Sequence, residues 1–307
     1  MLKPTSLPSL PLSDWKDTYQ TLHLYAQIVG KIRLMLAPRK NHWWYITLYV
    51  SPKGFTTHAI PYENEYFEIT FNVHTHQLEI TTSQGATEAF ALHDGLSVAD
   101  FYEQLMGLLK KLDIRISIVD RPFDSYTDKP FSQITDYHTY QPDYVHRYWR
   151  IMLWVDQVFK EFSGRFYGKT CPVHIYWHHM DLTVTRFSGK KVPPMPPEAR
   201  VSDKAAYSHE VISFGFWAGD DTTPGPAFYS YTAPAPDKLD KQPLEPHAAQ
   251  WVDNNGSPMA LLMYDDLLKQ ENPHEVLLAF MESAYQAGAQ LAGWPIEELT
   301  VPPLDML

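Results

Sequence analysis

The chain of 307 residues is short of several things, and each shortage closes a class of function. It has one cysteine, Cys171, so no intrachain disulfide can form and every cysteine-based metal motif is ruled out. It has few cations: 25 Lys and Arg against 36 Asp and Glu leave a formal net charge of -11, which repels phosphate backbones and anionic membranes. Nucleic acid is therefore not expected as a partner. No window approaches the roughly 18 apolar residues of a membrane span. The opening MLKPTSLPSLPLSDW is broken by Pro4, Pro8 and Pro11 and has no unbroken apolar run, so it does not read as a secretory signal. A soluble, cytoplasmic protein is the expectation. Phosphate-cradling glycine patterns, H-E-x-x-H and G-x-S-x-G are all missing, and with them the common nucleotide, zinc-protease and serine-hydrolase readings.

Aromatic residues, by contrast, make up 14% of the chain and apolar residues 44%, which demands a large buried core and excludes general disorder. Helical periodicity runs from about Asp17 to Leu36, where Pro38 ends it, with Tyr19, Leu22, Tyr25, Val29 and Ile32 on one stripe. Strand-like stretches follow at 43–51, 54–62, 65–73, 76–83 and 86–92. Ser97, with Asp100 three residues on, starts a second helix bearing Phe101, Leu105 and Leu108, and a short strand IRISIVD is expected after it. Residues 122–141 read as loop, and a third helix spans about Pro142 to Phe162.

Strands return in PVHIYW, DLTVTRF, AYSHEVISFGFW, AFYSYTA and PMALLMY, with an Asn255-Gly256 turn, before a final helix signalled by Asn272 as N-cap, Pro273 and Glu275. Strand runs bracketed by helices predict an α+β fold with mostly antiparallel sheet, in one compact domain over 1–307. The order helix, strands, helix occurs twice, over about 13–121 and 137–295. An offset of 130 lays the first helix on the third and WWYIT on VHIYW, which permits an internal duplication.

Polar residues concentrate in the second half. Strand alternation puts Val173, Ile175 and Trp177 on a core face and His174, Tyr176 and His178 on the other, with a turn at 178–180. On the next strand Leu182 and Val184 should join the core, leaving Arg186 at the end of that face, where its charge needs a carboxylate or a ligand anion. His209 and Glu210 open a further strand. His174, His209 and Glu210 are the candidates for acid–base catalysis, and Arg186, Asp181 and Tyr176 for ligand contacts. His174 and His209 with Asp181 or Glu210 would also satisfy the donor types of a two-histidine, one-carboxylate metal site, although the spacing is not diagnostic and no cofactor is specified. Lys31 and Arg33 in the first helix, with His42 and Trp43 after it, form the most basic local region, a candidate wall for an anion or a ring; such residues near a helix C-terminus equally suit its dipole. Pro-rich connections at 190–206, 218–227 and 232–248 are long enough to cover a site.

The stretches DWKDTYQTLHLYAQIVGKIRL, NHWWYITLYVSPKGFTT, SVADFYEQL, PVHIYWHHMDLTVTRFSGK and AYSHEVISFGFW resemble a family of bacterial proteins known only as a domain of unknown function. The resemblance runs from about residue 11 to 295 and implies a full-length domain, with no activity, cofactor or catalytic residue attached. After PVHIYW a plainer sequence is the family expectation, and His178-His179 departs from it. Two functions are expected on these grounds: a pocket for a small anionic molecule with acid–base or metal-assisted chemistry, or a non-catalytic module that pairs with a protein or with its own copy through aromatic surface and Pro-rich loops.

Overall fold

The structure, a computed structural model, describes residues 7–302. It is α+β, built from two antiparallel sheets and their helices. The described residues divide into two compact units, unit 1 being residues 7–40, 44–153 and 174–181 and unit 2 being 41–43, 154–173 and 182–302. Among the described residues no helix is long and apolar enough to cross a membrane.

Unit 1 is organised on α1 (Leu12–Leu36), which begins five residues earlier than the periodicity predicts because Leu12 and Trp15 are buried too. Burial covers nearly every position to Arg33, including Thr18, Thr21, His23, Gln27, Lys31 and Arg33, so α1 is a central helix rather than an amphipathic cover. Gly30 explains one contact: a Cβ there would lie 2.2 Å from the Trp177 ring, so only glycine lets the indole rest on the helix backbone.

The sheet of unit 1 runs β1 (Tyr49–Ser51), β2 (Gly54–Thr56), β4 (Glu65–Asn72), β5 (Gln77–Thr82) and β6 (Thr87–Ala91), and β3 (Ile60–Tyr62) pairs β4 beside β2. The single strand expected over 54–62 is thus two pieces, broken where His58 takes a φ of 53°. Helix α2 (Val98–Lys111) starts as predicted, with the Asp100 amide donating to Ser97 Oγ at 3.1 Å. Tyr25 of α1 stacks on Phe101 of α2 at 4.0 Å, and Phe71 and Phe90 of the sheet close on the same ring.

Two expected strands fail in this region. IRISIVD forms no strand, although Ile114 and Ile118 are buried. Of the stretch 43–51 only 49–51 pairs as a strand, because Asn41–Trp43 makes a 3₁₀ turn with His42 and Trp43 both in left-handed conformation.

In unit 2 the sheet has the order β11 (Gln250–Asn254), β12 (Ser257–Met263), β10 (Ala227–Ala233), β9 (His209–Trp217) and β8 (Asp181–Lys191, from Leu182 in this unit). Asn255 and Gly256 turn β11 into β12 with φ of 53° and 85°, the double left-handed geometry that a tight hairpin requires. One sheet face packs Leu182, Val184, Ile212, Phe214 and Phe216, all buried, against α6 (Pro273–Leu291) and the C-terminal part of α3 (Pro142–Gly164). Asn272 stands at the α6 N-cap with Pro273 behind it, but its side chain makes no capping bond. The short α4 (Val201–Ala206) lies inside the Pro-rich connection that was expected to be loop.

Candidate functional site

The expected site residues fall into both units, and each unit gathers its own cluster. In unit 1, β7 (His174–Tyr176) is followed by a turn through Met180, whose φ is 56°. Val173, assigned to unit 2, and Ile175 and Trp177 in unit 1 are all buried, as alternation predicts. The opposite face is not wet, however. His174 is 0% exposed, and burial together with the positive charge of Arg33 pushes its pKa down to about 3. Neither of its ring nitrogens has a hydrogen-bond partner among the described residues. Tyr176 is half-exposed, 4.8 Å from the His174 ring.

Asp181, at the start of β8, is half-buried, and it adds to burial in pushing the Tyr148 phenol up. Lys31 lies 5.9 Å above Trp177 and 6.0 Å above Phe131, its pKa lowered by burial. Arg33 donates from Nε to the Tyr45 carbonyl at 2.8 Å and lies over the Tyr49 ring at 5.3 Å. The four side chains of this basic region therefore do different jobs: Lys31 covers rings, Arg33 holds a carbonyl, and His42 and Trp43 belong to unit 2. A shallow depression of ≈ 300 Å³, lined by His93, Gly95, Leu96, Asp100, Glu103 and Gln104, contains none of the expected residues.

In unit 2 Arg186 is 1% exposed, on the core face as alternation predicts. Its charge is answered within the protein. Nη2 donates to the Phe162 carbonyl at 2.7 Å, Glu282 stands 3.7 Å from Nη1, and the guanidinium is boxed by Phe162, Tyr285 and Phe166 at 3.5, 4.4 and 5.0 Å. Burial lowers its pKa to about 10, against the opposing pull of Glu282. Glu210 accepts from Ser188 Oγ at 2.7 Å and, as the neighbour of His209 along β9, takes the other face of the sheet. Arg186, Glu210 and His209 thus have separate surroundings.

His209 is instead brought to His42 and Trp43. The left-handed turn Asn41–Trp43 is held by α4: His42 Nδ1 donates to the Ala206 carbonyl at 3.1 Å and Trp43 Nε1 to the Ser202 carbonyl at 2.9 Å. A carbonyl can only accept, so Nδ1 carries the proton and Nε2 presents its lone pair. Lys169 meets that lone pair with its ammonium at 2.7 Å. Both groups rest on Phe187, the His42 ring at 4.7 Å and Lys169 Nζ at 4.7 Å.

His209 crosses His42 edge-on at 5.6 Å, and its Nδ1 lies 3.1 Å from Ser208 Oγ. Lys191 pairs with it in the β8–β9 register. The pKa values of His42 and Lys169 are lowered chiefly by burial, as is that of His209. The charges acting on the two imidazoles are cationic: Lys169 and His209 on His42, Lys169 and Lys191 on His209. Among the described residues neither His209 nor Lys191 has a carboxylate within ion-pair distance.

Lys169 is the member that residue patterns do not mark. It stands alone in a loop after α3, placed because its carbonyl accepts from the Phe187 amide at 3.0 Å. Among the described residues no group of three or more His, Cys, Asp or Glu side chains is arranged to hold a metal ion, so the donor set expected from His174, His209, Asp181 and Glu210 is not assembled. A model described as a family of unknown function (DUF5996) matches residues 7–301. No curated protein and no solved structure matches the chain.

Proposed function

Since the chain belongs to the DUF5996 family and takes no activity from it, we propose from its own geometry that it binds a small anionic molecule in unit 2, at His42, Trp43, Lys169 and His209. The carrying observation is the 2.7 Å contact between the Lys169 ammonium and the neutral Nε2 of His42. Lys169 places a positive charge on both imidazoles, and Lys191 adds a second on His209. In a chain of net charge -11, two lysines set beside two imidazoles favour an anion locally. The strained turn at His42 and Trp43 supports the same reading, since consecutive left-handed non-glycine residues cost energy that surrounding structure must hold in place. His209 is the proton-exchanging group of this reading. Burial and then Lys169 and Lys191 lower its pKa, and a bound anion would raise it again.

The test is titration of the full chain with inorganic phosphate and with malonate, by calorimetry at low ionic strength. Binding is expected to tighten as pH falls through the His209 pKa, and Lys169→Met should weaken it about tenfold or more, the loss of one charged hydrogen bond. Equal binding by the variant would sink the proposal.

A second reading rests on the other half of the same sheet face. Trp217 meets Tyr229 at 5.5 Å, Tyr229 lies parallel to Tyr231 at 6.1 Å, and Tyr231 meets Tyr207 at 6.3 Å. All four rings are half-buried. Such a row suits association with a second copy of this chain. Sedimentation of the purified protein should then give a dimer that Tyr229→Ser dissociates, whereas a monomer at all concentrations would remove this reading.

A further inference from the structure

Unit 1 holds a second cluster that the proposed anion centre does not use, made of Arg33, Tyr49 and His174. Arg33 is 9% exposed and its Nη1 is buried without a hydrogen-bond partner; among the described residues no carboxylate stands within ion-pair distance of it. His174 is fully buried, with both nitrogens unpartnered. Tyr49 connects the two, its face under the guanidinium at 5.3 Å and its ring at 6.4 Å from the imidazole, nearly perpendicular at 77°.

A buried guanidinium without a counter-charge is costly, and so is each buried polar atom left unpaired. One such atom could be packing chance. Three in one cluster, two on a single imidazole, indicate that something else completes it.

The chemistry of the orphans specifies the occupant. There is one fixed positive charge, so a single negative charge suffices. Arg33 Nη1 and the N–H of neutral His174 are donors and call for acceptor oxygens; the other His174 nitrogen is an acceptor and calls for an O–H. Tyr49 and Tyr176, both in ring contact with His174, are partly exposed, so the imidazole lies one side chain beneath the surface. Tyr49 in turn stacks flat on the exposed His58 at 4.0 Å, where the left-handed His58 interrupts the edge between β2 and β3.

We infer that unit 1 binds a small hydroxylated monoanion between Arg33 and His174, under the rings of Tyr49 and Tyr176. Hydrogen carbonate and a 2-hydroxycarboxylate such as glycolate are members of this class, because each combines acceptor oxygens with an O–H.

The experiment compares thermal stabilisation and calorimetric binding of the full chain with hydrogen carbonate, glycolate and acetate, against sodium chloride at equal ionic strength. Glycolate or hydrogen carbonate is expected to bind about tenfold more tightly than acetate, which lacks the O–H for the second nitrogen. Arg33→Met should abolish the response and His174→Phe should remove the preference for the hydroxylated anion. Lys169→Met, in the other unit, should leave it intact; that variant separates this inference from the centre at His42. The wild-type comparison needs no variant to fold. No stabilisation beyond chloride, equal binding of acetate and glycolate, or a response that Lys169→Met removes would each overturn the inference.

Discussion

Arg186 donates to the carbonyl of Phe162 at 2.7 Å while its guanidinium lies 3.5 Å from the centre of the same residue's ring. The carbonyl is in the last turn of α3, where the helix has unsatisfied acceptors and the negative end of its dipole. One side chain thus caps a helix, fills an aromatic box and joins β8 to it. This is a structural arginine, whatever anion binds elsewhere.

Replacing it should therefore cost stability rather than binding. Arg186→Ala removes the partner of the partly exposed Glu282 and opens a void among three rings, and a loss on the order of 2–5 kcal/mol is expected from truncating a large buried side chain. Arg186→Met, which fills the space, should lose less. Urea denaturation of both variants checks the order, and phosphate binding by folded Arg186→Met should match the parent.

Gly30 is a close contact between α1 and an aromatic ring in unit 1. A Cβ at this position would meet Trp177 at 2.2 Å, against the body of a ring that cannot swing aside without leaving the helix. Gly30→Ala gains helix propensity of about 1 kcal/mol and should still destabilise, because overpacking a rigid core costs about 1–3 kcal/mol or more. The tryptophan emission spectrum and the melting temperature report it together; a more stable variant would show that Trp177 is not held where the structure places it.

Acid should unfold unit 1 through its buried histidines. His23 is held neutral at a pKa of about 4, chiefly by burial, and His174 and His178 at about 3 for the same reason. His23 donates from Nε2 to the His178 carbonyl at 2.9 Å, and its Nδ1 lies 3.0 Å from the Tyr126 hydroxyl. Each group has a folded pKa below the ordinary 6.5, so the unfolded chain binds more protons between the two values. Stability is then fully present above pH 6.5 and falls as pH drops toward 4 and 3. For His23 alone the loss is on the order of 3 kcal/mol across that window. Stability measured from pH 7 to pH 4 should fall steeply, and His23→Gln should flatten the curve. A pH-independent plateau down to 4 would show the imidazoles to be solvated.

How much was legible beforehand depends on how local the cause is. The Ser97 cap, the Asn255-Gly256 turn and the apolar stripes of α1, α2 and α3 are properties of short segments, and they formed where the residues call for them. So did the core placement of Leu182, Val184 and Arg186, since strand alternation needs only the neighbours in sequence. Alternation was misleading for His174, because it identifies the face of a strand but not whether that face is covered. The first part of the strand expected at 43–51, up to residue 47, and the strand expected at 114–120 failed for a related reason: a β-prone segment becomes a strand only if a partner edge is offered.

The amino-acid sequence alone determined the fold class, the long helices and the acidic balance that makes a cationic spot conspicuous. The tertiary structure alone decided which polar residues meet. Lys169 and His42 are 127 residues apart and carry no shared motif, and they touch because α4 holds one and the edge of β8 holds the other. Periodicity encodes direction within a segment; contact between such distant side chains is set by how whole elements pack, which no local pattern contains.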